Sequence, residues 1–341
     1  MPTPEGPDPT PPGISGSGLA PLGPAQLRWG LGLLWILDAG LQLQPVMFTR
    51  AFAGNVLYNA ALMYQPGGLE TFLYRAASIE TAHLEVLTIL IAVIQLLLGA
   101  GLLSSRLSRP ALIASVVWAI LVWTFGQGLG FLATGTALIE FGAPGSALMY
   151  SAIAALAWPR GAPGKTGARP APALLGRWIW SGYWALGAIL HLPLRFPTGA
   201  VLAYNLQTAA QLQPGSLQQV DYHLARYADG HGLPLSVLLA AVELALALGV
   251  WPARCRRPVL AIGVLLTAAF WVLGQAMGGI LAGVGTDPST GPVVALLALC
   301  LWGNGGHRSA PSPAGQPSPD AKKDPAMTYS PTPSPGQYHR R

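Results

Sequence analysis

The chain has 341 residues, of which 52% are apolar and only 9% charged, with a formal net charge of +6. A soluble domain carries about 25% charged residues, so this composition excludes an ordinary soluble protein and points to the membrane class. The positive excess does not mark a nucleic-acid binder, because the basic residues sit in short loops beside apolar runs and form no polar face.

Residues 1–24 are rich in Pro, Gly and Ser without a basic start, which predicts a disordered tail and not a cleaved leader. Eight apolar segments follow, at about 29–48, 81–103, 110–131, 143–159, 176–194, 231–251, 258–281 and 290–304. A helix crosses the hydrocarbon core with about 20 residues, and about 17 are tolerated. The fourth and eighth segments are short and flanked by Gly and Pro. The connections 49–80 and 195–230 are long and aromatic-rich, which suits either short amphipathic helices lying at the interface or solvated loops. Residues 305–341 return to the composition of the first tail and add Lys322, Lys323, Arg340 and Arg341.

With the N-terminus inside, fifteen Lys and Arg fall on the cytoplasmic side and four (Arg50, Arg75, Arg195, Arg226) on the other. That bias predicts a multi-pass protein of the inner, cytoplasmic membrane with both termini in the cytoplasm. Trp29, Trp158, Trp178, Trp180, Trp251 and Trp302 fall where an interfacial belt on that side would lie. Cys255 and Cys300 form no CxxC and no metal-spaced cluster, so they are expected to be reduced thiols.

A shift of 148 positions places His83 on His231, Gln95 on Glu243, Trp123 on Trp271, Gly126-Gln127 on Gly274-Gln275, Gly130 on Gly278 and Pro144 on Pro292. It also places Gln65-Pro66-Gly67 on Gln213-Pro214-Gly215. With one residue of slip, Trp35 falls on Trp184, Asp38 on Gly187 and Gln42 on His191. The expected fold is therefore all-α: a polytopic membrane protein of two parallel tandem repeats, each with four transmembrane helices. The first repeat covers 25–159, a cytoplasmic linker 160–175, and the second repeat 176–304.

Ionisable groups inside a bilayer are costly, so each is a candidate for function. Asp38 and Glu243, both deep in apolar helices, are the candidate catalytic carboxylates; structural hydrogen bonding between helices is the other reading. Gln42, His83, Glu85, Gln127, His191, His231 and Gln275, with Gln44 beside them, form a candidate ligand-binding set near the outer boundary. His191 and His231 belong to adjacent helices and are candidates to approach each other. No spacing is diagnostic of a metal, and no metal site is expected. Gly164-Lys165-Thr166 lacks the glycine that a phosphate-binding loop needs. The glycines of GQGLG (126–130) suit a tight re-entry after a helix and not a dinucleotide fingerprint.

The stretch AVELALALGVWPARCRRPVLAIGVLLTAAF (241–270) resembles the middle helix pair of the DoxX family: an acidic residue, a Gly-containing apolar run, a basic loop and a small-residue helix. IQLLLGAGLLSSRLSRPALIASVVWAI (94–120) repeats it, with Gln95 departing from the acidic position. The resemblance covers about 28–150 and 177–303 as a tandem duplication. DoxX-like proteins are four-helix membrane proteins, and the related DoxD type is a subunit of a thiosulfate:quinone oxidoreductase. The resemblance thus implies a membrane subunit tied to quinone-linked redox chemistry, with a quinone as possible cofactor and a periplasmic or membrane redox partner. A small-solute transporter or channel, and a non-catalytic membrane scaffold, stand as alternatives.

Overall fold

The computed structural model describes residues 21–159, 171–193 and 196–302. Most of the expected N-terminal tail, the linker around Gly164-Lys165-Thr166 and the C-terminal tail lie outside the described residues. Every regular element among the described residues is helical.

α1 (Pro24–Gln42) starts where Pro24 supplies a pre-set φ and the Gly23 N–H donates to Gln26 Oε1 at 3.0 Å. A 3₁₀ turn (Pro45–Phe48), α2 (Arg50–Phe52), a π turn (Ala53–Leu57) and α3 (Tyr58–Leu62) lead into α4 (Gly67–Ala82). α5 (Leu84–Leu103) and α6 (Ser108–Leu121) follow, and α6 widens into a π turn over Val122–Gly126. After two 3₁₀ turns comes α7 (Ser146–Leu156). The second half holds α8 (Ala171–Leu190), α9 (Thr198–Ala210), α10 (Gly215–Gly249), α11 (Ala253–Val272) and α12 (Gly291–Leu301). The long connections are thus largely helical.

Among the described residues, four helices are long and apolar enough to cross a membrane: Leu84–Leu103, Ser108–Gly126, Gly215–Gly249 and Ala253–Val272. The segments expected at 143–159 and 290–304 form helices of only 11 residues, α7 and α12. At ~1.5 Å per residue each is ~16 Å long, about half a hydrocarbon core. α11 begins five residues before Pro258, so the Arg257-Pro258 pair does not mark its start as Arg109-Pro110 does for α6.

The surface is apolar and the interior carries the polar groups, the reverse of a soluble protein. Leu97, Ile113, Val117, Leu233, Leu248 and Leu265 are each more than half exposed, whereas Asp38, Gln95, Glu140, His191 and Glu243 are buried. In lipid there is no hydrophobic drive between helices, so close packing and internal hydrogen bonds hold the bundle. α1 crosses α5 at glycines: a Cβ on Gly99 would lie 2.7 Å from the Gly32 carbonyl. Arg28 is buried and donates from Nη1 to the Ser104 carbonyl at 2.7 Å, a cation at the C-terminal end of α5. Trp180 is fully buried and donates to the Leu246 carbonyl at 3.0 Å, so it belongs to the core and not to an interfacial belt.

Positions matched between the halves share local geometry. His83, between α4 and α5, has φ −125° and ψ 32°; His231, inside α10, has φ −129° and ψ 27°. Gly128, Leu129 and Gly130 have positive φ, and so do Ala276, Met277 and Gly278. Buried Gln65 donates to the Gly128 carbonyl at 2.9 Å, whereas Gln213 donates to the Val272 carbonyl, one helical turn before Ala276, the position matched to Gly128. Trp123 Nε1 donates to the Pro144 carbonyl and Trp271 Nε1 to the Pro288 carbonyl, both at 2.6 Å. The second proline is Pro288 and not Pro292, so the register drops from 148 to 144 between Gly130 and Pro144. It then places Ser146 on Thr290, Tyr150 on Val294 and Trp158 on Trp302.

Candidate functional site

A cavity of about 730 Å³ opens among α1, α4, α5, α6 and α7. Its walls are apolar, with Leu87, Ile91, Ile94, Leu121 and Val122 from α5 and α6 and Phe72 from α4. Its polar groups converge from separate elements: Asp38 and Gln42 on α1, Gln95 on α5, Gln127 beyond α6, Tyr150 on α7, and Asp287 from the second half. Tyr150 is buried against Trp35, edge to face at 4.9 Å, and its hydroxyl donates to Asp38 Oδ1 at 3.2 Å. Trp35 Nε1 donates to Ser115 Oγ at 2.8 Å, which fixes the indole behind the pair. Gln127 Nε2 donates to Ser146 Oγ (2.7 Å) and to Asp287 Oδ2 (3.2 Å), while its Oε1 accepts from the Ala147 N–H at 3.2 Å. Gln44 donates to the Gly285 carbonyl at 3.0 Å, anchoring the segment that delivers Asp287. Gln95 Oε1 is buried with no hydrogen-bond partner. Arg75 and Glu80 of α4 complete the lining, and burial pushes the Glu80 carboxyl above its ordinary 4.5.

The matched region of the second half is filled. The connection from Gly130 to Pro144 is four residues longer than that from Gly278 to Pro288, and its 3₁₀ turn Ile139–Phe141 reaches into the second half. Ile139 is fully buried beside Gly187, where an added Cβ would stand 2.5 Å from Ile139 Cδ1 and 2.9 Å from Glu243 Cδ. Glu140 Oε1 lies 2.9 Å from His191 Nε2, and Glu243 Oε2 lies 3.5 Å from the same nitrogen. One ligand atom from each of the three residues lies within 4.8 Å of the other two. Gln275 supports the turn, donating to the Ile139 carbonyl at 3.2 Å while accepting from Thr290 Oγ1 at 3.2 Å.

The candidate residues therefore divide among three places. Asp38, Gln42 and Gln127 join the cavity, together with Gln95. His191 and Glu243 meet in the buried cluster, with Gln275 behind it. His83, Glu85 and His231 are exposed and enter neither. His231 stacks on Tyr227 at 4.3 Å and does not share the cluster of His191. Sequence reasoning missed Glu140, Tyr150 and Asp287. For Glu140 and Asp287 the available signal was an acidic residue in a Gly-rich connection of a chain with only 9% charge. For Tyr150 there was none, since a tyrosine in an apolar run reads as packing.

Cys255 and Cys300 are free thiols. Comparison of the chain with protein-family models, with curated proteins and with solved structures finds no match.

Proposed function

We propose that the chain is a DoxX/DoxD-like integral membrane protein that binds a quinone in the cavity beside Asp38, as the membrane subunit of a quinone-linked oxidoreductase. In this reading two parallel four-helix units make eight spans, with both termini in the cytoplasm. The shared geometry at His83 and His231, at the two left-handed turns and at the two Trp–Pro hydrogen bonds supports the duplication. The positive-inside bias supports the orientation.

The observation that carries the functional reading is an apolar cavity of about 730 Å³ with a small convergent set of polar groups. That is the size and lining of a small-molecule site, for which ~300–1,000 Å³ is usual. A quinone is a flat apolar ring with two carbonyl acceptors, and the fit is chemical. Gln42 and Gln95 offer amide N–H donors to a carbonyl oxygen. The Asp38 carboxyl can hold a proton while the Tyr150 hydroxyl, donating to Oδ1, fixes its orientation. Asp287 and Gln127 close the polar end, and the α5 and α6 leucines and isoleucines exclude water from the ring. When bound, the quinone supplies two-electron, two-proton redox chemistry, with electrons delivered by a periplasmic or membrane partner.

The test is purification of the full chain in mild detergent, organic extraction for quinone, and titration with ubiquinone and menaquinone followed by tryptophan fluorescence, since Trp35 and Trp118 line the cavity. Bound or titratable quinone, weakened about tenfold or more by Asp38→Leu, supports the reading. A quinone-free preparation that neither ubiquinone nor menaquinone quenches overturns it.

A further inference from the structure

We infer that Glu140, His191 and Glu243 form a site for one divalent transition-metal ion, which clamps the connection between α6 and α7 onto α8 and α10. The inference is independent of the quinone reading, because none of the three residues lines the cavity.

The first support is charge. The three side chains are buried, with Glu243 fully so. His191 has a single proton to offer from Nε2, and at 2.9 Å it serves Glu140 Oε1. Glu243 Oε1 and Glu140 Oε2 are then buried with no hydrogen-bond partner. An unpartnered buried carboxylate is among the most costly arrangements in a protein. Two carboxylates and a neutral imidazole carry a charge of −2, which one divalent ion cancels while giving Glu243 Oε2, also without a hydrogen-bond partner, a ligand bond.

The second support is geometry. Bonds of ~2.1 Å from carboxylate oxygen and imidazole nitrogen set neighbouring ligand atoms about 3.0–3.4 Å apart, between octahedral and tetrahedral angles. The observed separations around His191 Nε2 are 2.9 and 3.5 Å, and all three ligand atoms lie within 4.8 Å of one another. Two oxygens and one imidazole nitrogen suit ions of the Zn²⁺, Fe²⁺, Mn²⁺ and Co²⁺ class, and not a thiophilic ion such as Cu⁺.

The third support is how the chain makes room. Gly187 stands where the first half has Asp38, and its missing side chain leaves Glu243 the space it occupies. The longer connection after Gly130 brings Glu140 to the other two ligands. In the first half the matched positions are Gln42 and Gln95, neither of which is an ionised ligand. The donor set therefore combines two ligands of the second half, His191 and Glu243, with Glu140 from the connection that the first half extends to them.

The experiment uses tag-free, full-length protein in detergent, stripped with a chelator and titrated with Co²⁺ alone. The expected result is one equivalent of Co²⁺ per chain, visible ligand-field bands, displacement by Zn²⁺, and a rise in unfolding temperature on binding. Glu243→Gln and His191→Gln should each weaken Co²⁺ binding by at least the ~10–100-fold that loss of even an outer-shell partner costs. Asp38→Asn, which alters the cavity and not the cluster, should retain the full signal. Stripped wild-type protein that stays folded by circular dichroism yet binds no Co²⁺ overturns the inference. So does Co²⁺ binding that survives Glu243→Gln unchanged.

Discussion

Asp38 and Glu243 sit in unlike company, and the difference lies in the residues opposite them. Asp38 has Tyr150 as hydrogen-bond donor, whereas Gly187 and Val294 stand at the matched positions of the second half. Tyr150→Phe leaves Asp38 Oδ1 without its donor, so a loss of about 1–3 kcal/mol in unfolding stability in detergent is expected. On the proposed quinone reading, the same variant should also weaken quinone binding. Gly130→Ala is a test of backbone strain: φ is +62° there, and a Cβ would lie 2.0 Å from the Pro144 carbonyl. A loss of about 1–3 kcal/mol or more is expected in thermal unfolding, and equal stability of the variant would contradict the geometry. Glu80 gives a pH dependence. Its carboxyl is raised above 4.5, so burial disfavours the charged form. Its contribution is fully present below the unfolded value and is lost as pH rises through the folded one. Glu80→Gln should flatten that decline, read as unfolding temperature against pH from about 4 upward. Asp38 and Gln42 were legible in the sequence because a carboxyl or amide within an apolar run stands out. The exposure of His83, Glu85 and His231 was not, because composition does not show which side of a helix faces the bundle.

The connections after the two left-handed turns decide how the halves differ. The longer one carries Ile139 and Glu140 into the second half, and the shorter one brings Asp287 to the edge of the first-half cavity, which stays open. Ile139→Ala, at a fully buried position, should cost about 2–5 kcal/mol in thermal unfolding, with the spread set by how far the site collapses. A near-neutral result would mean that the turn is not seated as described. The first left-handed turn was foreseeable from GQGLG, since Gly tolerates positive φ, whereas Ala276 and Met277 in the second gave no such signal. The four-residue difference was hidden, because matching Pro144 to Pro292 keeps the offset of 148 found from Gln65 to Gly130. Only the hydrogen bonds from Trp123 and Trp271 identify Pro288 as the matched carbonyl. The lengths of α7 and α12 were equally opaque, since apolar residues in ordered turns read the same as apolar residues in a helix.

For the molecule as a whole, the apolar surface predicts that the protein remains in the pellet after alkaline carbonate washing and is released by mild detergent. Recovery in the carbonate supernatant would contradict a spanning arrangement. The proposed orientation, with both termini cytoplasmic, predicts that tags at either end resist protease in right-side-out vesicles and are cut together in inverted ones. The sequence by itself determined that this is an all-helical chain with helices apolar enough to cross a membrane. The reason is that low charge and unbroken apolar runs leave helices as the solution that satisfies the backbone in lipid. Residues that match at offsets of 148 and 149 also pointed to a likeness of the halves. Only the tertiary structure decided that one half keeps a cavity while the other closes on Glu140, His191 and Glu243. Both outcomes depend on which side chains a turn four residues longer can reach across the interior, and no local pattern records that distance.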